Sequence, residues 1–254
     1  MSSGRATGRL LITGASSQIG AAVARALAPD YRLVLGGRDA ASLERTRAGC
    51  ADPGAHAIWR FDLDRVEQIA GALAPLVRSD GIEALVYIAG IARPTALSAA
   101  SAPQVARVFS VNVLAALELI RLLSMRRYNS TPLARVVLMS SVAVRRPVRG
   151  FAAYCASKGA LESLARALSV ELSASASVAA LAAPAVDVSR SSDAAATAIQ
   201  AAHVGRKSEW ITPEEVAWAV RRLLAGEEGP LRGETFSLAR EAADRLVLRR
   251  EAAP

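Results

Sequence analysis

The sequence predicts an α/β fold in which a parallel β-sheet is covered by helices on both faces. Short runs rich in leucine, isoleucine and valine alternate along the 254-residue chain with longer alanine-rich stretches. Strand and helix in alternation are typical of βαβ units, because parallel strands need a crossover helix between them. The short runs are almost continuously apolar, as expected of strands that are buried on both faces of a sheet.

Seven segments are predicted to form the strands, and most of them end at small or polar residues. In chain order they are 9–14, 32–37, 57–62, 84–90, 135–141, 177–184 and 234–239. Helical patterns separate most of these segments, for example at 19–28 and 108–127. The alternation therefore continues along most of the chain.

The segment 212–226 carries the clearest helix signals. Thr212 is a suitable N-cap, Pro213 is suited to the first helical position, and Glu215 stands where a capping box requires it. Gly226 is a typical residue at a helix end. We expect a helix between these two signals.

The chain shows no internal repeat and no linker, so we expect one domain over residues 1–254. Residues 184–211 are rich in alanine, serine and aspartate and are predicted to form a mobile loop on the substrate side. The C-terminal tail, 240–254, is compatible with a short amphipathic helix or a frayed end, and we favour the frayed end.

The composition indicates a globular protein with an aliphatic core. Hydrophobic residues make up 52% of the chain and aromatic residues only 4%. No apolar run reaches the roughly 20 residues that a membrane span needs, and the N-terminus has no apolar signal core. We therefore expect no membrane partner and a cytoplasmic location.

Cysteine and histidine are too sparse to suggest a metal site. Cys50 and Cys155 are far apart and lack the spacing of metal ligands, so we interpret them as free thiols. His56 and His203 are the only histidines and are isolated from each other.

The net charge of +8 leaves three explanations open. The basic residues are scattered and form no block or aromatic-interleaved stripe, so we expect no nucleic-acid partner. A generally basic surface is the commoner explanation. An acidic protein partner is the third.

The first predicted strand leads into the small-residue turn TGASSQIG, residues 13–20, and then into a helix. Such a turn lets backbone N–H groups approach an anion, and the helix N-terminus adds a partial positive charge. These features are typical of a dinucleotide pyrophosphate site. A glycine- and serine-rich turn alone is weak evidence, but here strand, turn and helix coincide.

Two further strand ends carry candidate cofactor ligands. Arg38 follows the second strand, where an acidic residue would bind the ribose hydroxyl of NAD, and its planar cation suits the 2′-phosphate of NADP. A surface arginine in a loop is the alternative. Asp62 follows the third strand and could accept from an adenine amino group, although a helix N-cap explains Asp62 or Asp64 equally well.

The segment YCASK places Tyr154 and Lys158 at positions i and i+4, which share one face of a helix. A neutral phenol cannot form a salt bridge with an ammonium. A helix face with one aromatic residue and one lysine that extends to solvent is the ordinary interpretation of such a short motif. The remaining motifs decide between this interpretation and a catalytic pair.

Taken together, the motifs resemble those of the short-chain dehydrogenase/reductase family over residues 8–239. The ordered set is TGASSQIG, GGRD, FDLD, YIAG, SVN, SS, YCASK and TPEEVAWAV. Within the family the chain looks most similar to 3-oxoacyl-(acyl carrier protein) reductases. The resemblance implies a single Rossmann-type, doubly wound domain with a seven-stranded parallel sheet in the order 3-2-1-4-5-6-7.

The resemblance also implies the site residues. It assigns Tyr154 as the general acid, Lys158 as its activator, Ser141 as the residue that holds the substrate carbonyl, and Asn112 as the support of a water-linked proton relay. For the cofactor, it implies these residues together with Tyr154 and Lys158: Gly14, Ser16, Ser17, Gln18, Ile19, Gly20, Arg38, Asp62, Leu63, Ala89, Gly90, Pro184, Asp187 and Ser189.

These roles agree with the chemistry of ketone reduction. A free phenol has a pKa of about 10, too high for acid–base work near neutral pH. We expect the ammonium of Lys158 and a positively charged oxidised nicotinamide to lower the pKa of Tyr154 by roughly three units, equivalent to about 4 kcal/mol. Ser141 would donate a hydrogen bond to the developing alkoxide.

The sequence departs from the family pattern at several positions. Gln18 stands where the family usually has glycine, and could crowd the pyrophosphate or tilt the helix start. Tyr87 and Ile88 stand where asparagine is common. Ala185 and Asp187 replace the usual residues after the sixth strand, where the backbone of Asp187 could still bind the carboxamide.

Ser189 replaces a usual threonine, and the polar stretch that follows stands where a substrate-covering helix is usual. We expect all of these departures, from Gln18 to the polar stretch after Ser189, to affect cofactor affinity and substrate choice more than the fold.

The resemblance implies an NADPH-dependent ketoreductase that acts on a 3-oxoacyl thioester, with NADP(H) as cofactor and an acyl carrier protein as partner docked at Arg126 and Arg127. The first alternative is a reductase of a free small-molecule ketone, and the second is a non-catalytic subunit of an active reductase. We also expect a homo- or hetero-oligomer, a dimer or tetramer formed through helices in 103–127 and 153–173.

Overall fold

A computed structural model of the chain describes residues 8–187, 210–241 and 245–252. Its central sheet has eight strands in the order β3-β2-β1-β4-β5-β6-β7-β8. The strands are β1 (Gly8–Thr13), β2 (Tyr31–Gly37), β3 (Ala57–Arg60), β4 (Ala84–Tyr87), β5 (Arg135–Ser141), β6 (Ser177–Ala183), β7 (Arg232–Arg240) and β8 (Leu246–Arg250). The predicted α/β class and the order of the first seven strands are confirmed.

The first seven strands are parallel, and the strand order reverses beside β1. This strand pairs with β2 on one side and with β4 on the other. At such a reversal the connections leave the two neighbouring strand ends in opposite directions and open a crevice at the carboxyl edge of the sheet. The fold therefore provides a ligand crevice between the ends of β1 and β4.

Seven α-helices of the described residues lie in the connections between the strands. They are α1 (Gln18–Leu27), α2 (Ala40–Ala48), α3 (Ile69–Ser79), α4 (Ala102–Phe109), α5 (Ala115–Ser124), α6 (Ala152–Glu171) and α7 (Pro213–Ala225). The helices pack on both faces of the sheet, and each face has its own apolar core. The first core includes residues of α1, α2 and α7, and the second includes residues of α3, α5 and α6.

Helix α7 begins and ends as the sequence predicts. The Thr212 hydroxyl accepts from the Glu215 backbone N–H at 3.2 Å, and the Glu215 carboxylate accepts from the Thr212 N–H at 2.7 Å. Gly226 ends the helix with φ of 75°, a left-handed conformation that favours glycine. The capping box and the C-terminal glycine are both confirmed.

The predicted helix over 108–127 is two helices joined by a π-helical turn, Ser110–Leu114. The turn lies between α4 and α5 and contains Asn112, which is completely buried. A π-turn inserts an extra residue into a helix and so changes the direction in which a side chain points. Periodicity alone could not show this interruption, because the apolar pattern continues through it.

The tail provides an eighth strand, so the predicted count of seven strands and the frayed end are both wrong. Strand β8 pairs antiparallel with β7, for example Leu238 with Leu248. Leu246 and Leu248 pack against the first core, while Arg249 forms an ion pair with Glu241 at 3.2 Å. Arginines dominate this segment in the sequence and hide its short apolar alternation.

Most of the predicted mobile loop, 184–211, lies outside the described residues, and so do Ser189 and His203. The two described ends of this loop meet in a parallel bridge between Val186 and Ile211. No helix in the described ranges is long and apolar enough to cross a membrane.

Candidate active site

Four predicted catalytic residues converge at the carboxyl edge of the sheet. Ser141 is the last residue of β5, and Tyr154 and Lys158 lie in the first two turns of α6. Asn112 lies in the π-turn before α5. Strand and helix ends therefore bring together side chains that are distant in the sequence.

Tyr154 and Lys158 lie side by side on α6, as the i and i+4 spacing predicts. The Lys158 ammonium is 5.8 Å from the centroid of the Tyr154 ring, within range of a cation–π contact. Burial raises the pKa of Tyr154 to about 12, and a hydrogen bond with the Ser141 side chain opposes this rise only in part. The phenol of Tyr154 is therefore protonated at neutral pH.

Lys158 is 3% exposed and donates to the backbone carbonyl of Met139 at 2.7 Å. Burial lowers its pKa to about 8. In the absence of cofactor, burial thus moves the pKa of Tyr154 upwards, away from the lower value expected with the ammonium and an oxidised nicotinamide both present. The contribution of a bound nicotinamide to the pKa of Tyr154 stays a prediction.

Asn112 fixes the loop that follows β4. Its side-chain oxygen accepts from the Ile91 N–H at 2.8 Å, and its amide donates to the Ile91 carbonyl at 3.1 Å. The same amide donates to the Ser157 hydroxyl at 2.9 Å. This buried carboxamide consequently joins the end of β4 to α6.

Gly90 lies between Asn112 and Lys158. A Cβ atom at this glycine would be 3.3 Å from the Lys158 amine and 3.4 Å from the Asn112 side-chain oxygen. The two polar groups therefore approach the same point of the chain. This arrangement is compatible with the predicted relay between Asn112 and Lys158.

Ser141 is 6% exposed, and its hydroxyl oxygen accepts from the Ala143 N–H at 3.2 Å. This bond leaves the hydroxyl proton able to turn towards Tyr154, with which the side chain is hydrogen-bonded. Ser141 and Tyr154 thus present two adjacent hydroxyl groups, as binding a carbonyl oxygen from two sides requires.

The turn after β1 has the shape that a dinucleotide requires. Gly14 has φ of 71°, and a Cβ there would be 2.9 Å from the Ala89 backbone nitrogen. A Cβ at Gly20 would be 2.2 Å from the Gly14 carbonyl, so only glycine allows α1 to start this close to β1. These close approaches are those of the glycine-rich pyrophosphate turn.

Helix α1 starts with a complete cap despite Gln18. The Ser17 hydroxyl accepts from the Gly20 N–H at 3.0 Å and donates to the Gly14 carbonyl at 2.8 Å. Gln18 is the first residue of α1 and Ile19 the second. Steric crowding of a pyrophosphate by Gln18 stays a prediction.

The end of β2 lies next to this turn. The Ala15 N–H donates to the Gly36 carbonyl at 3.0 Å, and the Ser16 hydroxyl is 3.0 Å from where a Cβ of Gly37 would lie. Arg38 follows and is exposed. The structure therefore places Ser16 and Arg38 at the same corner of the crevice.

The third strand ends in an Asx turn in which the Asp62 carboxylate accepts from the Asp64 N–H at 3.2 Å. Helix α3 starts only at Ile69, so the alternative interpretation of Asp62 or Asp64 as its N-cap is wrong. Asp64 instead binds Arg107 at 2.9 Å. Leu63, between the two acids, is 8% exposed and joins the second core.

The segment after β6 is held by backbone hydrogen bonds with Ile211. Its backbone N–H donates to the Ile211 carbonyl at 2.8 Å, and the Ile211 N–H donates to the Ala185 carbonyl at 3.0 Å. The Asp187 N–H is thus engaged within the protein, and binding of a carboxamide by the Asp187 backbone stays a prediction. Pro184 directly follows β6, and Asp187 is exposed.

Sequence reasoning missed two residues that shape the end of β4. The fully buried Tyr87 donates its hydroxyl to the backbone carbonyl of Val111, next to Asn112. The Thr13 hydroxyl accepts from the N–H groups of Ile88 and Ala89 at 3.1 and 3.2 Å. In the sequence, only the departure from the family pattern at Tyr87 pointed to this role. The structure explains the tyrosine at this position, because its hydroxyl supports the π-turn.

The remaining candidate groups have structural roles. His56 accepts from the Leu33 N–H at 3.1 Å and is 5% exposed, so it braces β2. Cys50 and Cys155 are free thiols. Within the part of the chain that the structure describes, no group of three or more histidines, cysteines and acids could hold a metal ion.

A family model described as short chain dehydrogenase matches residues 9–198. The chain belongs to the short chain dehydrogenase family. The four predicted catalytic residues and the glycine turn lie within the matched range.

Curated relatives match parts of the chain. It is 32% identical over 165 residues to the D-erythrulose reductase of Gallus gallus, which covers 65% of each chain. It is 40% identical over 111 residues to the dehydrogenase/reductase SDR family member 11 of Bos taurus, which covers 41% of this chain and 43% of that protein. The chain thus spans less than two thirds of the length of these relatives.

Among solved structures, the 3-ketoacyl-(acyl-carrier-protein) reductase of Brucella melitensis, complexed with NADH, has the same fold. It superposes with a TM-score of 0.77 at 22% identity and covers 92% of this chain and 97% of that chain.

The depressed pKa of Lys158 predicts a pH-dependent stability. Between about 8 and the ordinary value of 10.5, the unfolded chain binds more protons than the folded protein. The free energy of unfolding therefore rises with pH in this window. We expect wild type to gain about 2 kcal/mol relative to Lys158→Met between about pH 7.5 and 10, measured by urea denaturation. Parallel pH profiles of the two proteins would contradict the assignment.

Proposed function

We propose that this dehydrogenase is a nicotinamide-dependent reductase of ketones. The observation that carries the proposal is the grouping of Tyr154, Ser141, Lys158 and Asn112 beside a glycine-lined crevice. Two hydroxyl groups and a buried amine at the carboxyl edge of a parallel sheet can bind and protonate a carbonyl oxygen.

The roles follow from the state of each group. Tyr154 is protonated at neutral pH, since its pKa is raised to about 12, and can give its proton to the developing alkoxide. Ser141 holds the same oxygen by a hydrogen bond. Lys158 is mainly cationic below its pKa of about 8 and stabilises the phenolate that remains. When bound, a reduced nicotinamide supplies the hydride.

NADP(H) is the cofactor that the end of β2 suits best. Arg38 offers an exposed guanidinium there, whereas the neighbouring Asp39 carboxylate is engaged by the Ser42 N–H at 2.7 Å as the cap of α2. A guanidinium binds a 2′-phosphate through paired hydrogen bonds. The acid that would select NAD is thus occupied, while the arginine is exposed.

For the substrate, we propose a 3-oxoacyl thioester on an acyl carrier protein, and the charge around the site supports it. Between Glu83 and Glu162 the only acid is Glu118. The same stretch has ten cations: Arg93, Arg107, Arg121, Arg126, Arg127, Arg135, Arg145, Arg146, Arg149 and Lys158. Such an excess attracts an acidic partner and accelerates its association.

Three of these cations lie on loops at the edge of the sheet that holds the site. Arg93 follows β4, and Arg146 and Arg149 follow β5, and all three are exposed. The two loops are joined by a hydrogen bond of 2.8 Å from the Thr95 N–H to the Gly150 carbonyl. We name Arg93, Arg146 and Arg149 the loop arginines.

The docking pair expected from the sequence, Arg126 and Arg127, lies elsewhere. Both are exposed and follow α5, and the next residues anchor the opposite edge of the sheet, where Asn129 accepts from the Ile82 N–H at 2.9 Å just before β4. Ser141 lies at the other end of β5. The loop arginines are therefore better placed than Arg126 and Arg127 to receive a carrier whose thioester must reach Tyr154.

We also propose that the protein is oligomeric through the helices around α5 and α6. Leu114 and Leu117 are 50% and 42% exposed on the side of this helix layer that faces away from the sheet. Beside it lies a cavity of about 490 Å³, lined in part by Phe109, Ala153 and Ala156. A partner subunit would cover this apolar surface.

A free small-molecule ketone is the second candidate substrate, and the identity to a D-erythrulose reductase favours it. A non-catalytic subunit remains the third, although the complete set of Ser141, Tyr154, Lys158 and Asn112 argues against it.

Arg38→Ala is expected to weaken NADPH binding at least about ten-fold and to leave NADH binding unchanged, because it removes a charge-assisted contact to the 2′-phosphate. Fluorescence titration with both cofactors measures this difference. Arg45→Ala, an exposed arginine of α2 whose guanidinium binds Ser42 at 2.7 Å, is the matched control. Equal losses for NADPH and NADH in Arg38→Ala would contradict NADP selectivity.

Tyr154→Phe is expected to lower kcat for ketone reduction by about 100-fold or more, since it removes the proton donor. NADPH binding should stay within about two-fold, because the variant keeps the ring and its packing. The assay follows NADPH oxidation with a 3-oxoacyl thioester and with free ketones. A wild-type protein that oxidises NADPH with none of them would favour the non-catalytic subunit.

Replacing the three loop arginines by alanine is expected to lower kcat/KM for a carrier-bound substrate by about ten-fold or more at low salt. The same variant should reduce a small neutral ketone like wild type, because none of the three touches the catalytic hydroxyls. Arg126→Ala/Arg127→Ala is the matched control. A loss confined to that control would place the carrier at the opposite edge, and equal activity of all proteins would favour a free ketone.

A further inference from the structure

A buried carboxylate lies one turn beyond Lys158 on α6. The Glu162 side chain is 7% exposed and accepts two hydrogen bonds from the Arg145 guanidinium, at 3.1 and 2.9 Å. The Ser140 hydroxyl donates to it at 2.7 Å. A buried carboxylate needs such a complete set of donors, because an unpaired charge in the interior is costly.

These donors come from both sides of Ser141. Ser140 precedes it in β5, and Arg145 ends the short turn that follows it. The Ser140 hydroxyl is also 3.1 Å from the Lys158 carbonyl. Glu162 therefore connects the strand end and the turn that hold Ser141 to the helical turn that holds Lys158.

A second carboxylate reaches the same guanidinium from the end of β8. The Glu251 carboxylate is 3.4 Å from the Arg145 Nε, while the two terminal nitrogens of Arg145 face Glu162. The Glu251 N–H donates to the Thr235 carbonyl of β7 at 2.8 Å, so its backbone is anchored to the sheet. Arg145 is thus held between the two acids, with its terminal nitrogens hydrogen-bonded to Glu162 and its Nε in an ion pair with Glu251.

The orientation of Arg145 depends on Glu251. The Arg145 side chain is 34% exposed, and a flexible guanidinium at such a position has several orientations available. Binding on its Nε edge by Glu251 leaves the opposite edge directed at Glu162, as a bidentate pair requires. Without Glu251, the link between Glu162 and the turn after Ser141 would loosen.

We propose that Glu251 is a positioning residue that acts through Arg145 and Glu162 to hold Ser141 and Lys158 in their working geometry. The strand β8 then contributes to catalysis without touching the substrate. The proposal rests on the proposed ketone reduction, since Ser141 and Lys158 act in that reaction.

Glu251 is the residue to change, because its side chain is 27% exposed and its removal leaves no buried charge without a partner. Removal of Arg145 would instead leave Glu162 unpaired and risk the fold. The matched control is Glu241→Ala. Glu241 directly follows β7 and forms ion pairs with Arg245 at 2.7 Å and Arg249 at 3.2 Å. The structure places it in no contact with Arg145.

The experiment compares wild type, Glu251→Ala, Glu251→Gln and Glu241→Ala by steady-state kinetics and by hydrogen exchange of the backbone amides. We expect Glu251→Ala to lower kcat about ten-fold with KM for NADPH unchanged, because small misplacement of catalytic groups affects the rate of the chemical step. Glu251→Gln should lie between, since it keeps the length and polarity of the side chain but removes the charge that pairs with Arg145. Glu241→Ala should match wild type.

Hydrogen exchange tests the link without turnover. In Glu251→Ala, exchange should accelerate in residues 141–150 and in the first turns of α6, and should not change in β1 or β4. The proposal is overturned if kcat of Glu251→Ala stays within about two-fold of wild type, if Glu241→Ala loses as much, or if exchange does not rise near Ser141.

The two proposals fail in different ways. A wild-type protein that reduces no ketone would overturn the proposed reaction. In that case hydrogen exchange alone tests whether Glu251 holds the segment after Ser141. Faster exchange in residues 141–150 of Glu251→Ala supports this role, and an unchanged pattern overturns it. An active wild type with an unaffected Glu251→Ala would retain the reaction and reject the role of Glu251.

Discussion

The burial of the Lys158 amine is the constraint on which the candidate site depends. The ammonium lies inside the protein without a carboxylate partner among the described residues, and a carbonyl of β5 is its hydrogen-bond acceptor. Burial of a cation without a counter-charge is costly, and this cost lowers the pKa of Lys158. The neighbouring acid, Glu162, forms its ion pair with Arg145. It therefore does not compensate the charge of Lys158. A cation kept in this way is available to stabilise negative charge on Tyr154.

The surrounding backbone is arranged so that this amine and the catalytic hydroxyls face one point. Asn112 bonds both backbone groups of Ile91, Thr13 receives two N–H groups of the β4 end, and Tyr87 holds the π-turn. Each of these side chains is buried and satisfied. Fully satisfied buried polar groups rigidify a site, because any displacement breaks several bonds together. The end of β4 is thus held by Thr13 of β1, by Asn112 of the π-turn and by its own last residue, Tyr87.

The sequence predicted those parts of the structure that local rules determine. The cap signals of Thr212 and Gly226 gave α7, and the i, i+4 spacing of Tyr154 and Lys158 gave a shared helix face. The parts it missed depend on distant contacts. Strand β8 exists because β7 offers it an edge, and the pKa of Tyr154 is set by burial, which a motif does not express. The tie of Glu251 to Arg145 joins positions that no spacing rule connects.

Strand β8 has a consequence for how copies of this protein can associate. By covering β7 it removes a long, unpaired strand whose free N–H and C=O groups could recruit another chain. The new outermost strand is only five residues long and bears Arg249 and Arg250, and the opposite border of the sheet is the four-residue β3. Both borders therefore discourage growth of the sheet from molecule to molecule, which is the first step towards fibrous aggregates.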